Sequence, residues 1–198
     1  FQQLYNTVDS IIVGNYVGSN ALAAVGSSGA IINLLIGFCI GASTGAGVVI
    51  SQFYGAKDHK NLNRTLHTAY AFAIVTGAIV GLIGFWITEK VLIAMKTPSE
   101  LMADSVIYLH IYFCGMIFNI VYNMGASILR AVGDSRRPLY VLIMTCGLNI
   151  FFDIMLVVFL KMGVMGVAIA TVSCQGISAC MVTWILIKGN SLFRLKIR

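Results

Sequence analysis

The chain has 198 residues, of which 59 % are hydrophobic and only 10 % are charged, with a net charge of +6 and a mean hydropathy of +0.90. Soluble domains carry about 25 % charged residues, so this composition excludes a soluble globular domain, a disordered segment and a nucleic-acid-binding module. The lipid bilayer is therefore the expected environment of most side chains.

Long stretches without charge mark the expected membrane spans. Residues 10–56, 65–88, 105–129 and 162–187 contain no Asp, Glu, Lys or Arg, and 138–160 contain only Asp153. A membrane helix needs about 20 apolar residues, and the first stretch is too long for one span. We therefore predict an all-α integral membrane fold, one six-helix bundle over residues 1–198, with spans near 1–17, 26–54, 66–88, 104–130, 138–160 and 163–187.

Local patterns agree with these spans. The Thr-Pro-Ser-Glu sequence at 97–100 predicts a capping box at the start of the fourth helix. Glycines recur four residues apart, which predicts close helix packing. They are Gly37, Gly41 and Gly45 in the second span, and Gly77 and Gly81 in the third. Because the chain lacks an initiator Met and opens within a span, we expect it to be part of a longer protein.

The distribution of Lys and Arg predicts the orientation. The linkers after the second and fourth spans and the C-terminal tail hold ten of them, whereas the opposite side holds only Lys90, Lys96 and Lys161. Cytoplasmic segments carry the excess of positive residues. We therefore expect a multi-pass protein of the cell (inner) membrane, with the N-terminus and the C-terminal tail of this segment in the cytoplasm.

Two acidic residues lie within the predicted spans, Asp9 in the first and Asp153 in the fifth. The other acids lie near span ends or in linkers, where water can solvate them. A charged group at the centre of a membrane helix costs roughly 2.5–3.5 kcal/mol on insertion scales. Asp9 and Asp153 are therefore functional candidates, with a structural role between helices as the alternative.

The distance of each acid from the end of its helix places Asp9 and Asp153 at a similar depth in the membrane. At about 1.5 Å per residue, Asp9 lies ~14 Å from the turn at Gly18. Asp153 lies ~12 Å from Lys161, and Thr171 lies ~12 Å from Gly163. Asn149 is one turn from Asp153, and Tyr5 is one turn from Asp9, with Asn6 beside it.

These oxygen-bearing groups favour a hard monovalent cation or a shared proton over a transition metal. The sequence contains no catalytic triad, phosphate-binding loop or zinc motif, and we expect neither an enzyme nor a cofactor beyond a coupling ion, Na⁺ or H⁺. Asn33 and His110 could lie near the same level, and Asn123 lies nearer the cytoplasm. Asn33 and His110 are each more often a satisfied core group than part of a cavity, but all three stay candidates for lining one, as do Tyr5 and Asn6.

Several segments, in order and spacing, resemble the multidrug and toxic compound extrusion (MATE) transporters, above all the prokaryotic members. No one of them is specific alone, but together they cover nearly the whole chain. They are residues 5–9 with 12–14, 22–26, 51–57, 129–134 with Pro138, 148–150 with Asp153, and 163–171.

The resemblance implies twelve spans in two six-helix lobes, with this chain as the N-terminal lobe and the C-terminal lobe of the same polypeptide as its partner. It implies an ion-coupled antiporter of organic, often cationic, drug-like compounds. The cation site of similar members maps to Asp9, Asn149, Asp153 and Thr171, and Tyr5 and Asn123 match more loosely. The alternatives are a flippase of lipid-linked precursors in the same superfamily, or a non-transporting protein whose acids are structural.

Overall fold

The structure is a computed structural model that describes residues 10–189, and within them it contains helices and turns but no β-strand. The first helix, α1, covers 10–16 of this range. The others are α2 (Ser19–Gly55), α3 (His59–Ala94), α4 (Ser99–Cys114), α5 (Met116–Ala131), α6 (Arg136–Asp153), a π-helical segment (Ile154–Phe159) and α7 (Gly163–Lys188).

The predicted all-α fold is confirmed. Four helices are long and apolar enough to cross a membrane, and the bent pair α4 and α5 could form a fifth span. They are Ala21–Gly55, His59–Ala94, Arg136–Phe159 and Gly163–Lys188. Over half of the predicted first span lies outside the described residues. Helices suit this environment because the bilayer core offers backbone groups no water to bind.

The fourth predicted span, 104–130, differs from the observed structure. Its helix is broken at Gly115, and α4 and α5 are bent by 48°. A Cβ on Gly115 would lie 2.6 Å from Val172 Cγ1 of α7, so glycine permits the close contact at the bend. α4 also begins at Ser99 without a side-chain cap, so the predicted capping box is absent.

The helix α5 occupies the centre of the lobe. It packs against α2 and α3 on one side and α7 on the other, and α6 packs on the outer side of α7. Nearly every residue from Asn119 to Leu129 is buried. In contrast, many large apolar side chains of α2 and α3 face outwards, for example Leu34 and Trp86, which are 74 % and 79 % exposed. Such surfaces are typical of a protein that contacts lipid.

The glycine patterns of α2 and α3 behave differently. Cβ atoms on Gly77 and Gly81 would lie 2.7 Å from Ile117 Cα and 2.7 Å from the Phe113 carbonyl oxygen, so α3 packs closely on α4 and α5. Gly37, Gly41 and Gly45 have open space beside them within the described part of the lobe. The close packing predicted for Gly37, Gly41 and Gly45 therefore does not occur within the described residues.

Four of the turns between helices share one backbone geometry. Lys57, Lys96 and Lys161 adopt left-handed backbone conformations, with φ of 57°, 55° and 52°, and Gly133 has φ of 89°. In each turn the following N–H group bonds back to a carbonyl of the preceding helix, as Asp58 does to Phe53 at 3.0 Å. These bonds satisfy helix-end carbonyls, and the lysine charge is favourable near a helix C-terminus.

Asp58 caps the start of α3. Its Oδ1 accepts a hydrogen bond from the Asn61 N–H at 3.1 Å, and its Oδ2 accepts one from Asn61 Nδ2 at 2.7 Å. The Asn61 backbone bond, followed by the Asn61 side-chain bond, holds the pKa of this exposed carboxyl below its usual range. These bonds favour the charged form because a carboxylate is the better acceptor.

We expect Asp58→Ala to lower the midpoint of thermal unfolding at neutral pH. Because the pKa of Asp58 is lower in the folded state, its contribution is complete above the ordinary aspartate pKa and is lost as the pH falls through the folded value. The difference between wild type and Asp58→Ala should therefore shrink below about pH 4. Asp58→Asn, which can still cap a helix, is the control. An Asp58→Ala difference independent of pH would contradict this account.

Candidate functional site

Three of the predicted cation-site residues are buried on α6 and α7. Asn149 and Asp153 are one turn apart on α6 and are 1 % and 0 % exposed. Thr171 lies on α7 and is 3 % exposed. Because α6 packs directly on α7, the structure places all three polar side chains in the interior of the lobe.

A small polar cavity of about 20 Å³ lies among α5, α6 and α7. Asn149 and Thr171 both line it, so the structure brings these two predicted residues together. The others that line it are Asn119, Tyr122, Leu142, Thr145, Cys174, Gln175 and Ser178. We call this space the amide cavity, because three amide side chains face it.

Some of these polar groups are satisfied by their own helices. Thr145 Oγ1 donates to the Val141 carbonyl at 2.9 Å, and Ser178 Oγ donates to the Cys174 carbonyl at 2.9 Å. The Asn149 amide nitrogen and oxygen and the Gln175 Oε1 are buried and have no hydrogen-bond partner within residues 10–189. Such groups are rare in native interiors and call for an explanation.

The chain becomes π-helical immediately after Asp153. The segment Ile154–Phe159 replaces the α-helix expected there, so the depth estimated between Asp153 and Lys161 on uniform α-helical rise does not apply. π-Helical turns often occur at functional sites. Tyr16 and Val17, at the end of α1, line a second cavity with Val157, Val158 and Gly163, so α1 ends beside this segment.

The other predicted residues are dispersed. Asp9, Tyr5 and Asn6 lie outside the described residues. Asn33 is exposed on α2, and the His110 ring stacks on Phe85 with centroids 4.2 Å apart. Neither lines the amide cavity.

Asn123 is buried one turn from the cavity on α5. Its Nδ2 donates to the Asn119 carbonyl at 2.9 Å and to the Asn119 Oδ1 at 3.0 Å. It therefore holds the side chain of Asn119, which lines the cavity itself.

Gln175, Thr145 and Ser178 were not among the predicted site residues. Gln175 follows Thr171 by four residues, and Thr145 precedes Asn149 by four. Residues four apart share a helix face, so polar residues at this spacing in an apolar span were the available signal. Their meeting across two helices depends on packing.

The chemistry of the site is that of oxygen and amide ligands. Within residues 10–189, no group of three or more His, Cys, Asp or Glu side chains could hold a metal ion. Carboxylate, carbonyl and hydroxyl oxygens, the groups that Asp153, Asn149 and Thr171 carry, are ligand types that suit hard cations better than transition metals.

The family model described as MatE matches residues 1–155. The chain belongs to the MatE family. This confirms the family predicted from the sequence. The match extends through α6 and includes Asn149 and Asp153.

Relatives in this family are longer. The chain is 35 % identical over 175 residues to the probable multidrug resistance protein YoeA of Bacillus subtilis, covering 86 % of this chain and 38 % of that protein. It is 28 % identical to the probable multidrug resistance protein NorM of Thermotoga maritima, covering 98 % of this chain and 42 % of that one. The chain thus spans about two-fifths of the length of these relatives.

Solved structures show the same fold. A crystal structure of MATE in the bent conformation superposes with a TM-score of 0.93 at 24 % identity, covering 98 % of this chain and 44 % of that one. An inward-facing multidrug resistance MATE family transporter of the MOP superfamily gives 0.92 at 24 % identity, with 98 % and 44 % coverage. The chain therefore has the fold of one lobe of a MATE transporter.

Proposed function

We propose that the full-length protein exports organic, often cationic, compounds in exchange for Na⁺ or H⁺, and that this chain is its N-terminal lobe. Its activity is transport by alternating access and not catalysis. Relatives named as multidrug resistance proteins support the substrate class. The proposed location is the cell (inner) membrane, with the N-terminus and C-terminal tail of this segment in the cytoplasm.

The observation that carries the proposal is the burial of Asp153. Its side chain is 0 % exposed on a helix that is long and apolar enough to cross a membrane, one turn from Asn149. A carboxylate at this depth is expensive, and the cost falls when the carboxylate binds a cation or a proton. We propose that Asp9, Asn149, Asp153 and Thr171 form that site.

The same site suggests how ion binding moves the lobe. Asp9 immediately precedes the described part of α1, whose far end lies beside the π-helical segment and Gly163. A cation shared by Asp9 and Asp153 would hold α1 against α6 and α7, and its release would weaken that contact. An ion can shift the lobe between two arrangements only if it binds them with different affinity.

The test is drug efflux from everted vesicles that contain the full-length protein. An imposed Na⁺ gradient is compared with an imposed H⁺ gradient, for wild type and Asp9→Asn. We expect one gradient to drive export and the substitution to abolish it. Export that depends on neither gradient and is unchanged by the substitution would refute ion coupling. It would favour a flippase, or a protein in which the acids are only structural.

The positions of the basic residues favour drug export over the flippase. Within residues 10–189, every Lys and Arg lies in a turn or within two turns of a helix end. Arg64 and Arg130, for example, lie near the start of α3 and the end of α5. A cavity for an anionic lipid-linked precursor would be expected to carry basic side chains further inside the spans.

A further inference from the structure

The amide cavity has the size and the lining of a site for one water molecule. Its volume of about 20 Å³ exceeds the 10–15 Å³ that roughly suffices for one water. Asn149 and Gln175, which are 1 % and 7 % exposed, line it from α6 and α7. No Lys, Arg, Asp or Glu is among its lining residues, so a neutral polar occupant fits better than a charged one.

The lining groups offer hydrogen bonds that the described residues do not use. The Asn149 amide can donate and accept, and the Gln175 Oε1 can accept, yet neither has a partner within residues 10–189. The hydroxyl hydrogens of Thr145 and Ser178 bind backbone carbonyls, but their oxygens keep lone pairs that can accept. A buried water typically makes about three hydrogen bonds, and these groups can supply them.

We propose that the amide cavity holds one ordered water bridging Gln175 Oε1 and the amide of Asn149, and that Gln175 is thereby a positioning residue for the coupling-ion site. The second half of this proposal rests on the proposed function, because it assumes that Asn149 binds the ion. Gln175 fixes the water, and the water orients the Asn149 amide. Asn119 lies on the third helix lining the cavity and is held by Asn123.

If Gln175 positions Asn149, replacing Gln175 should change ion binding although Gln175 does not itself contact the ion. Groups that orient ligands from outside the coordination sphere typically change metal affinity 10–100-fold when they are replaced. Gln175→Met keeps an unbranched side chain of similar length but removes the carbonyl oxygen. The amide of Asn149 would then lose a fixed partner, while Asp153 and Thr171 stay unchanged.

The first test measures export by the full-length protein against the concentration of the driving ion. We expect Gln175→Met to shift the half-saturating concentration about tenfold, upwards if the ion is Na⁺, because Asn149 then presents its oxygen less well. Gln52→Met, an equal change at an exposed position of α2, is the matched control and should match wild type. If the half-saturating ion concentration is the same in Gln175→Met, Gln52→Met and wild type, the positioning role is overturned.

The second test needs neither activity nor a stable variant. A high-resolution structure of the wild-type full-length protein should show one density peak within hydrogen-bond distance of Gln175 and Asn149. An empty cavity would overturn the water site. If export by wild type responds to no ion gradient, the proposed function fails, and the density still decides whether the water is bound.

Discussion

Asp153→Asn is expected to reduce ion-driven export by the full-length protein by about 100-fold or more. Asp153 is fully buried on α6, one turn from Asn149. Asparagine has nearly the same shape but carries no negative charge and takes up no proton. Replacing groups outside a coordination sphere typically costs 10–100-fold in ion affinity, and loss of a ligand should cost at least as much. The measurement is initial export rate against the imposed gradient in everted vesicles.

The matched control for this substitution is Asp104→Asn. Asp104 lies on α4, is half-buried, and does not line the amide cavity, so the export rate of this variant should equal that of wild type. Thermal unfolding in detergent should show both variants folded, because the amide introduced by Asp153→Asn has nearly the same shape and can still form hydrogen bonds. Full coupling in a folded Asp153→Asn protein would show that the acid is structural and would refute the proposed cation site.

Gly81→Ala is expected to destabilise the lobe severely. The added Cβ would lie 2.7 Å from the carbonyl oxygen of Phe113, a backbone atom of α4 that cannot rotate away. One turn earlier, a Cβ on Gly77 would meet the Cα of Ile117 of α5 at 2.7 Å. The helix α3 therefore approaches both halves of the bent pair. Overpacking of this kind typically costs about 1–3 kcal/mol and occasionally more, and we expect a variant that combines Gly77→Ala with Gly81→Ala to yield little folded protein.

The control for this prediction is Gly147→Ala. Gly147 lies on the exposed face of α6, with nothing within 4 Å of an added Cβ. There alanine should be neutral, or stabilise by up to about 1 kcal/mol through its higher helix propensity. The measurement is the unfolding midpoint and the monodisperse fraction of each variant in detergent. If Gly81→Ala unfolds at the same temperature as Gly147→Ala, α3 does not lie as close to α4 as the structure indicates.

Local properties of the sequence determined the class of the protein and the positions of most helices. Long apolar stretches mark spans because each helix must satisfy its own backbone in lipid. The same logic selected Asp9 and Asp153, since a charged group in an apolar span is costly wherever its neighbours lie. Asn149 was added because it shares a helix face with Asp153, and Thr171 because it lies at a similar depth. The segments that resemble MATE transporters predicted the family, which the MatE match confirmed.

Tertiary structure decided the features that depend on a neighbouring helix. Gly37 and Gly41 have the same spacing as Gly77 and Gly81, yet only the second pair meets another helix of the described lobe. Likewise, Gly115 lies at the bend between α4 and α5 and closely approaches Val172 of α7, a contact that its sequence neighbours do not reveal.

In the amide cavity, too, the sequence determined one part and helix packing decided the other. The polar faces of α6 and α7 were visible in the sequence as residues four apart, Thr145 with Asn149 and Thr171 with Gln175. Their meeting around one cavity was not, because it depends on how the two helices pack against each other and against α5. Spacing along one helix determines which side chains share a face, but only packing determines what that face meets.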